Sequence, residues 1–167
     1  MYNPRRSVMT DRHLPFMALA VREARNGIRR GDGGPFGACI VRRGNVVALA
    51  HNRVLSTRNP TMHAEICAIS LASRRLGTHV LKGCQVYSTT EPCPMCFSAI
   101  HWAQIDVIYF GTTVEEVRRL GFNELTISNR TLKRLGKSPV RLVGGVARKD
   151  CLQLLADWSV LPNRRPY

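Results

Sequence analysis

The chain has 167 residues, of which 44% are hydrophobic and 22% charged, a balance that excludes a wholly disordered polymer and fits a folded domain. Lys and Arg number 25 against 11 Asp and Glu, for a net charge of +14. No apolar run approaches the roughly 18 residues of a membrane-spanning helix.

In chain order, the basic stretch Met1–Thr10 runs into Asp11, Arg12 and His13, which break any apolar continuation. No leader is expected, and the reading is a single cytoplasmic domain over 1–167. The spacing of Phe16, Leu19, Ala20 and Ala24 predicts a helix over Arg12–Ile28. Asp32-Gly33-Gly34-Pro35 ends it. Phe36–Val41 and Val46–Ala50 read as an antiparallel hairpin around Arg42-Arg43-Gly44-Asn45. Asn59-Pro60-Thr61 reads as the start of a helix that runs to about Leu76. Then come a strand Cys84–Thr89, a short helix Cys93–Trp102, a strand Val107–Phe110 and a short helix Val114–Leu120. Asn123–Ser138 carries no clear pattern and reads as a loop; a strand Val140–Val146, a helix Asp150–Trp158 and an apolar-basic tail over 159–167 follow. This alternation after an opening hairpin predicts a mixed α/β sheet with helices on both faces.

Charge is uneven along the chain. Residues 1–61 carry +8, residues 62–124 carry −1 and residues 125–167 carry +7. Two basic ends would attract nucleic acid or another polyanion, and dispersed Arg pairs suit a solvated surface equally well.

Six cysteines without a leader point to metal or redox chemistry rather than disulfides. His63-Ala64-Glu65 and Pro92-Cys93-Pro94-Met95-Cys96 carry the strongest signal. Two thiolates and one imidazole make a three-ligand zinc site with its fourth position open to water, which zinc acidifies. Glu65, two residues beyond His63, is placed to move a proton without binding metal. The H-x-E…P-C-x-x-C pattern is the signature of zinc-dependent base deaminases. Two alternatives remain at this point. Cys67, four residues after His63, would close the site into a structural zinc centre, as in a nucleic-acid-binding module without catalysis. Cys93 and Cys96 would otherwise be a thiol redox pair.

Over nearly its whole length the sequence resembles the cytidine-deaminase-like zinc deaminases, and among them bacterial guanine deaminases. That resemblance implies a three-layer α/β/α sandwich with a central five-stranded mixed sheet, usually dimeric. It implies zinc on His63, Cys93 and Cys96, with Glu65 as the catalytic acid–base. Gly33-Gly34-Pro35-Phe36 is similar to the segment whose Phe stacks on the purine, and Asn52 to the Asn that bonds the base. Ala64 would offer a backbone N–H at the site. Trp102, in Ile100-His101-Trp102-Ala103, and Glu124, in Gly121-Phe122-Asn123-Glu124, match a wall residue and a second proton-shuttling acid. Tyr167 resembles a tail residue that crosses into the partner subunit and closes its site. The implied reaction is guanine to xanthine and ammonia. Its rivals are adenosine to inosine in a tRNA anticodon loop and deamination of cytosine or a related heterocycle such as a triazine. By residue type alone, Phe36 and Trp102 also suit a core and Asn52 a turn cap.

Overall fold

The computed structural model describes residues 12–167, so the basic stretch Met1–Thr10 lies outside the described residues. Helix α1 (Leu14–Arg30) continues two residues beyond the predicted end, where the Gly31 and Asp32 N–H groups bond Ile28 and Gly27 carbonyls. Strands β1 (Gly37–Arg42) and β2 (Asn45–His51) form the expected hairpin, with a bulge between Ile40 and Val41. A four-residue helix α2 (Val54–Thr57) follows, in a stretch read as loop.

Helix α3 (Ala64–Leu76) starts later than Asn59-Pro60-Thr61 suggested. The Asn59 carboxamide accepts from both the N–H and the hydroxyl of Thr61, at 2.9 and 2.7 Å. That turn diverts the backbone and leaves His63, extended at ψ 158°, as the N-cap. Strand β3 (Cys84–Thr90), helix α4 (Pro94–Trp102), strand β4 (Val107–Thr112) and helix α5 (Val114–Arg118) fall where predicted. Asn123–Ser138 is not all loop. It holds α6 (Asn129–Leu135), whose first turn is capped by the Ser128 hydroxyl. Strand β5 (Arg141–Gly144) and helix α7 (Arg148–Ser159) complete the order.

The sheet order is β2-β1-β3-β4-β5, with β3, β4 and β5 parallel and β1 antiparallel to both of its neighbours, β2 and β3. Strand alternation divides the core in two. Ala38, Ile40, Val86 and Ile108 pack with Ala68 and Ala72 of α3 and Ile100 of α4. Cys39, Val41, Tyr87 and Tyr109 pack with Ala20 and Ala24 of α1 and Leu154 of α7. The result is the three-layer sandwich. The Tyr87 and Tyr109 rings stack at 4.7 Å, and the Tyr87 hydroxyl meets His13 Nδ1 at 2.9 Å, so the buried polar tip is paired. Among the described residues no helix is long and apolar enough to cross a membrane.

This topology positions the site. The end of β3 leads through Glu91 and Pro92 into α4, while the N-terminus of α3 lies on the same face of the sheet. Ligands in such sheets gather at the carboxyl ends of parallel strands, where helix N-termini offer free N–H groups.

Candidate active site

His63 and Cys93 are the N-cap residues of α3 and α4, both extended, and neither side chain caps its own helix. Their donor atoms are therefore free to converge. His63, Cys93 and Cys96 place one ligand atom each within 4.8 Å of the others. The Cys93 Sγ to His63 Nδ1 distance is 3.6 Å. A tetrahedral zinc with bonds of about 2.3 Å to sulfur and 2.0–2.1 Å to nitrogen separates those two atoms by about 3.6 Å. The residues present thus fit the ion that their chemistry implies.

A hydrogen bond from the Cys96 thiol, followed by the His63 contact, outweighs burial and pushes Cys93 down to about 4. Cys96 retains that proton and is raised. One thiolate is ready-made at the start of α4, where helix N–H groups favour negative charge. Cys67 does not join the set. Its thiol lies 3.7 Å from the Met62 carbonyl, and it is absent from the ligand cluster. Four-residue helical spacing brings two side chains together only if both are helical, and His63 precedes the helix. The closed four-ligand alternative is excluded by this geometry.

Glu65 is 6% exposed, in the first turn of α3. Ser88 of β3 donates to Glu65 Oε1 at 2.9 Å. Burial raises the Glu65 carboxyl, partly offset by His63. Ala64 is the first residue of α3, so its side chain is in the core while its N–H is one of the helix's free donors. A pocket of about 250 Å³ opens over His63 and Cys93, walled by Phe36, Phe122, Glu124 and Tyr167. Burial, then the Cys93 charge, raises Glu124 to about 7. Phe36 meets Phe122 edge-on at 5.0 Å.

Asn52 is fully buried, and the structure shows the turn-cap reading. Its Oδ1 accepts from Val54 N–H at 3.1 Å, while its Nδ2 makes no close hydrogen bond among the described residues. The Tyr167 hydroxyl stands beside it. A Cβ at Gly33 would come within 2.1 Å of Asn52 Oδ1, so only glycine lets the loop approach this closely.

One expectation changes. Trp102 is 80% exposed and does not line the pocket. It ends α4, eight residues beyond Pro94, which is about 12 Å along the axis from the metal-binding end. Tyr167 closes the pocket of its own chain: its hydroxyl accepts from Gly34 N–H at 3.2 Å and its carbonyl from Asn123 N–H at 3.0 Å.

Two site residues escaped the sequence reading. Ser88 shares its sheet face with Val86 through strand alternation, a signal that was present. Asn129, fully buried, donates from Nδ2 to the Pro92 carbonyl at 2.5 Å, and its N–H reaches Glu91 Oε1 at 2.8 Å. Nothing local in the sequence marks a tether 37 residues long.

Residues 10–112 match the cytidine and deoxycytidylate deaminase zinc-binding region. Over 155 residues the chain is 39% identical to guanine deaminase of Bacillus subtilis (strain 168), covering 93% of this chain and 99% of that one. It is 31% identical over 148 residues to the tRNA-specific adenosine deaminase of the same organism, covering 89% and 88%. The solved structure of guanine deaminase from Nitrosomonas europaea superposes with a TM-score of 0.80 at 29% identity, covering 87% of this chain and 84% of that one.

Proposed function

The chain belongs to the cytidine and deoxycytidylate deaminase zinc-binding family, and we propose that it hydrolyses guanine to xanthine and ammonia. The observation that carries the substrate is the roofed pocket. About 250 Å³, lined by Phe36 and Tyr167, suits one flat base and falls just below the about 300 Å³ at which ligand sites begin. Phe36 walls the ring face, and Asn52, buried behind the Tyr167 hydroxyl, would offer its Nδ2 to a base acceptor. Guanine-deaminase similarity across almost the whole chain supports the same substrate.

His63, Cys93 and Cys96 would hold the zinc. When bound, zinc supplies a water acidified to about pKa 7 as the nucleophile. Glu65 takes a proton as attack proceeds and passes it to the ring nitrogen; it then takes the remaining proton of the added hydroxyl and hands it to the departing amine as the carbonyl forms. The Ser88 hydroxyl occupies one of its oxygens and leaves the other to shuttle. Glu124 sits across the pocket with a carboxyl near 7, suited to holding or releasing a second proton. N–H groups at the starts of α3 and α4, Ala64 among them, face negative charge as it develops.

The test is ultraviolet-followed conversion of guanine by the zinc-loaded protein, with Glu65→Ala as the blank. Xanthine formation by wild type alone supports the reading. Inosine formation in a tRNA anticodon loop without guanine turnover moves the function to tRNA, a second reading favoured by the +14 charge and the tRNA-deaminase similarity. A homodimer belongs to the same proposal, supported by exposed Trp102 and Leu135, 80% and 69% accessible on neighbouring helices. Six free thiols support a cytoplasmic setting.

A further inference from the structure

His51 ends β2 immediately before Asn52 and is 6% exposed. Each of its ring nitrogens meets a carboxylate: Nδ1 lies 2.7 Å from Glu23 of α1, and Nε2 lies 2.8 Å from Asp32 in the loop after α1. Burial draws both carboxyls up, but the hydrogen bonds from His51 outweigh it and leave both below their ordinary values. Ionised carboxylates only accept hydrogen bonds. The two bonds hold the imidazole between α1 and the loop that follows it. Arg30 and Arg53 bias the two carboxylates further toward ionisation, and Arg74 and Cys67 of α3 line the same cavity.

The surroundings are built for this ring. Gly27, inside α1, lies so close that a Cβ there would stand 2.5 Å from His51 Cδ2. Asp32 is also bound through its backbone. Its carbonyl accepts from Leu55 and Ser56, each at 3.0 Å, and its N–H reaches Gly27. These bonds join α1, the Asp32–Phe36 loop, β2 and α2 around Asn52, whose own N–H donates to the Phe36 carbonyl at 3.0 Å.

We propose that His51 is a positioning residue: its two carboxylate bonds lock the end of β2 so that the Asn52 carboxamide holds one orientation toward the substrate. This rests on Asn52 orienting the base as read above. His51 touches no reacting atom and acts through Asn52.

The experiment uses the full, zinc-loaded chain at about pH 7.5. Side-chain 15N spectra are expected to show each His51 ring nitrogen in a hydrogen bond, lost at Nδ1 in Glu23→Gln and at Nε2 in Asp32→Asn. A single Asn52 carboxamide signal, assigned by its loss in Asn52→Asp, is expected to broaden or split in His51→Gln. Steady-state kinetics with guanine are expected to show KM raised about tenfold in His51→Gln with kcat nearly unchanged, the pattern of lost uniform binding. Gly27→Ala, which keeps the imidazole but displaces it, should reproduce the KM effect. A His51 ring free of the carboxylate bonds, an unaltered Asn52 signal, or an unchanged KM in a folded His51→Gln enzyme each overturns the proposal. If wild type does not turn over guanine, the substrate reading falls, and the two spectroscopic readouts still decide the clamp.

Discussion

Glu65 and Cys93 carry opposite electrostatic burdens a few ångströms apart, and each makes a residue-scale prediction. Burial holds Glu65 ready to accept a proton, so Glu65→Gln should retain zinc while kcat falls by about 10²–10⁴, checked by metal analysis and guanine turnover. Cys93 is the thiol drawn down to about 4, whereas burial pushes Cys39 and Cys151 up to about 12. Iodoacetamide should therefore modify metal-free protein first at Cys93, and zinc should protect it, as read by peptide mass spectrometry. Cys67→Ser should keep a full complement of zinc, because Cys67 bonds the Met62 carbonyl and not the ligand set. The metal ligands and Glu65 were legible in the sequence because their chemistry is written in short, fixed spacings. Trp102 was misplaced for the opposite reason. A neighbouring position in sequence becomes a remote one once a helix carries it eight residues along its axis.

At the scale of elements, the long helices and the strands were readable from periodicity, since burial on one face imposes it. The short helices α2 and α6 were not, at four and seven residues, because one or two turns cannot display a period. They exist through tertiary bonds, and α6 illustrates this with Asn129 on Pro92. The clamp between α1 and β2 predicts a pH dependence with a definite sign. Glu23 and Asp32 are lowered from 4.5 and 3.8 in the fold. A lowered carboxyl stabilises the fold above its unfolded value, and the contribution disappears as pH falls through the folded value. Chemical denaturation should find His51→Gln less stable than wild type near neutral pH. The gap should begin to narrow as pH falls through the ordinary carboxyl values and close only below the two lowered ones, where both carboxylates are protonated in the fold.

Across the whole molecule, the pocket draws on segments that are far apart in the chain. Phe36, His63, Cys93, Glu124 and Tyr167 meet only when the sheet and tail are both in place. The tail is held by modest contacts: Arg164 over the Trp158 ring at 5.7 Å, and the Tyr167 ring edge-on to Phe122 at 5.3 Å. Tyr167→Ala should therefore leave the melting temperature nearly unchanged while raising KM for guanine by about tenfold, measured by calorimetry and initial rates. No sequence pattern announced that the tail would settle on its own chain's pocket, since its partners, Gly34 and Asn123, lie 133 and 44 residues away.

The Asn129 carboxamide has one more implication. The segment it anchors begins at Asn123 and Glu124, which form the roof of the pocket, while the carbonyl it grips belongs to Pro92, next to a metal ligand. Roof and floor are thus strung on one line, and tension at either end is felt at the other. Filling the pocket should then slow the escape of the metal. Extraction of zinc by a chelator, timed with and without a bound base, would register that tension, and Asn129→Ala would cut the string.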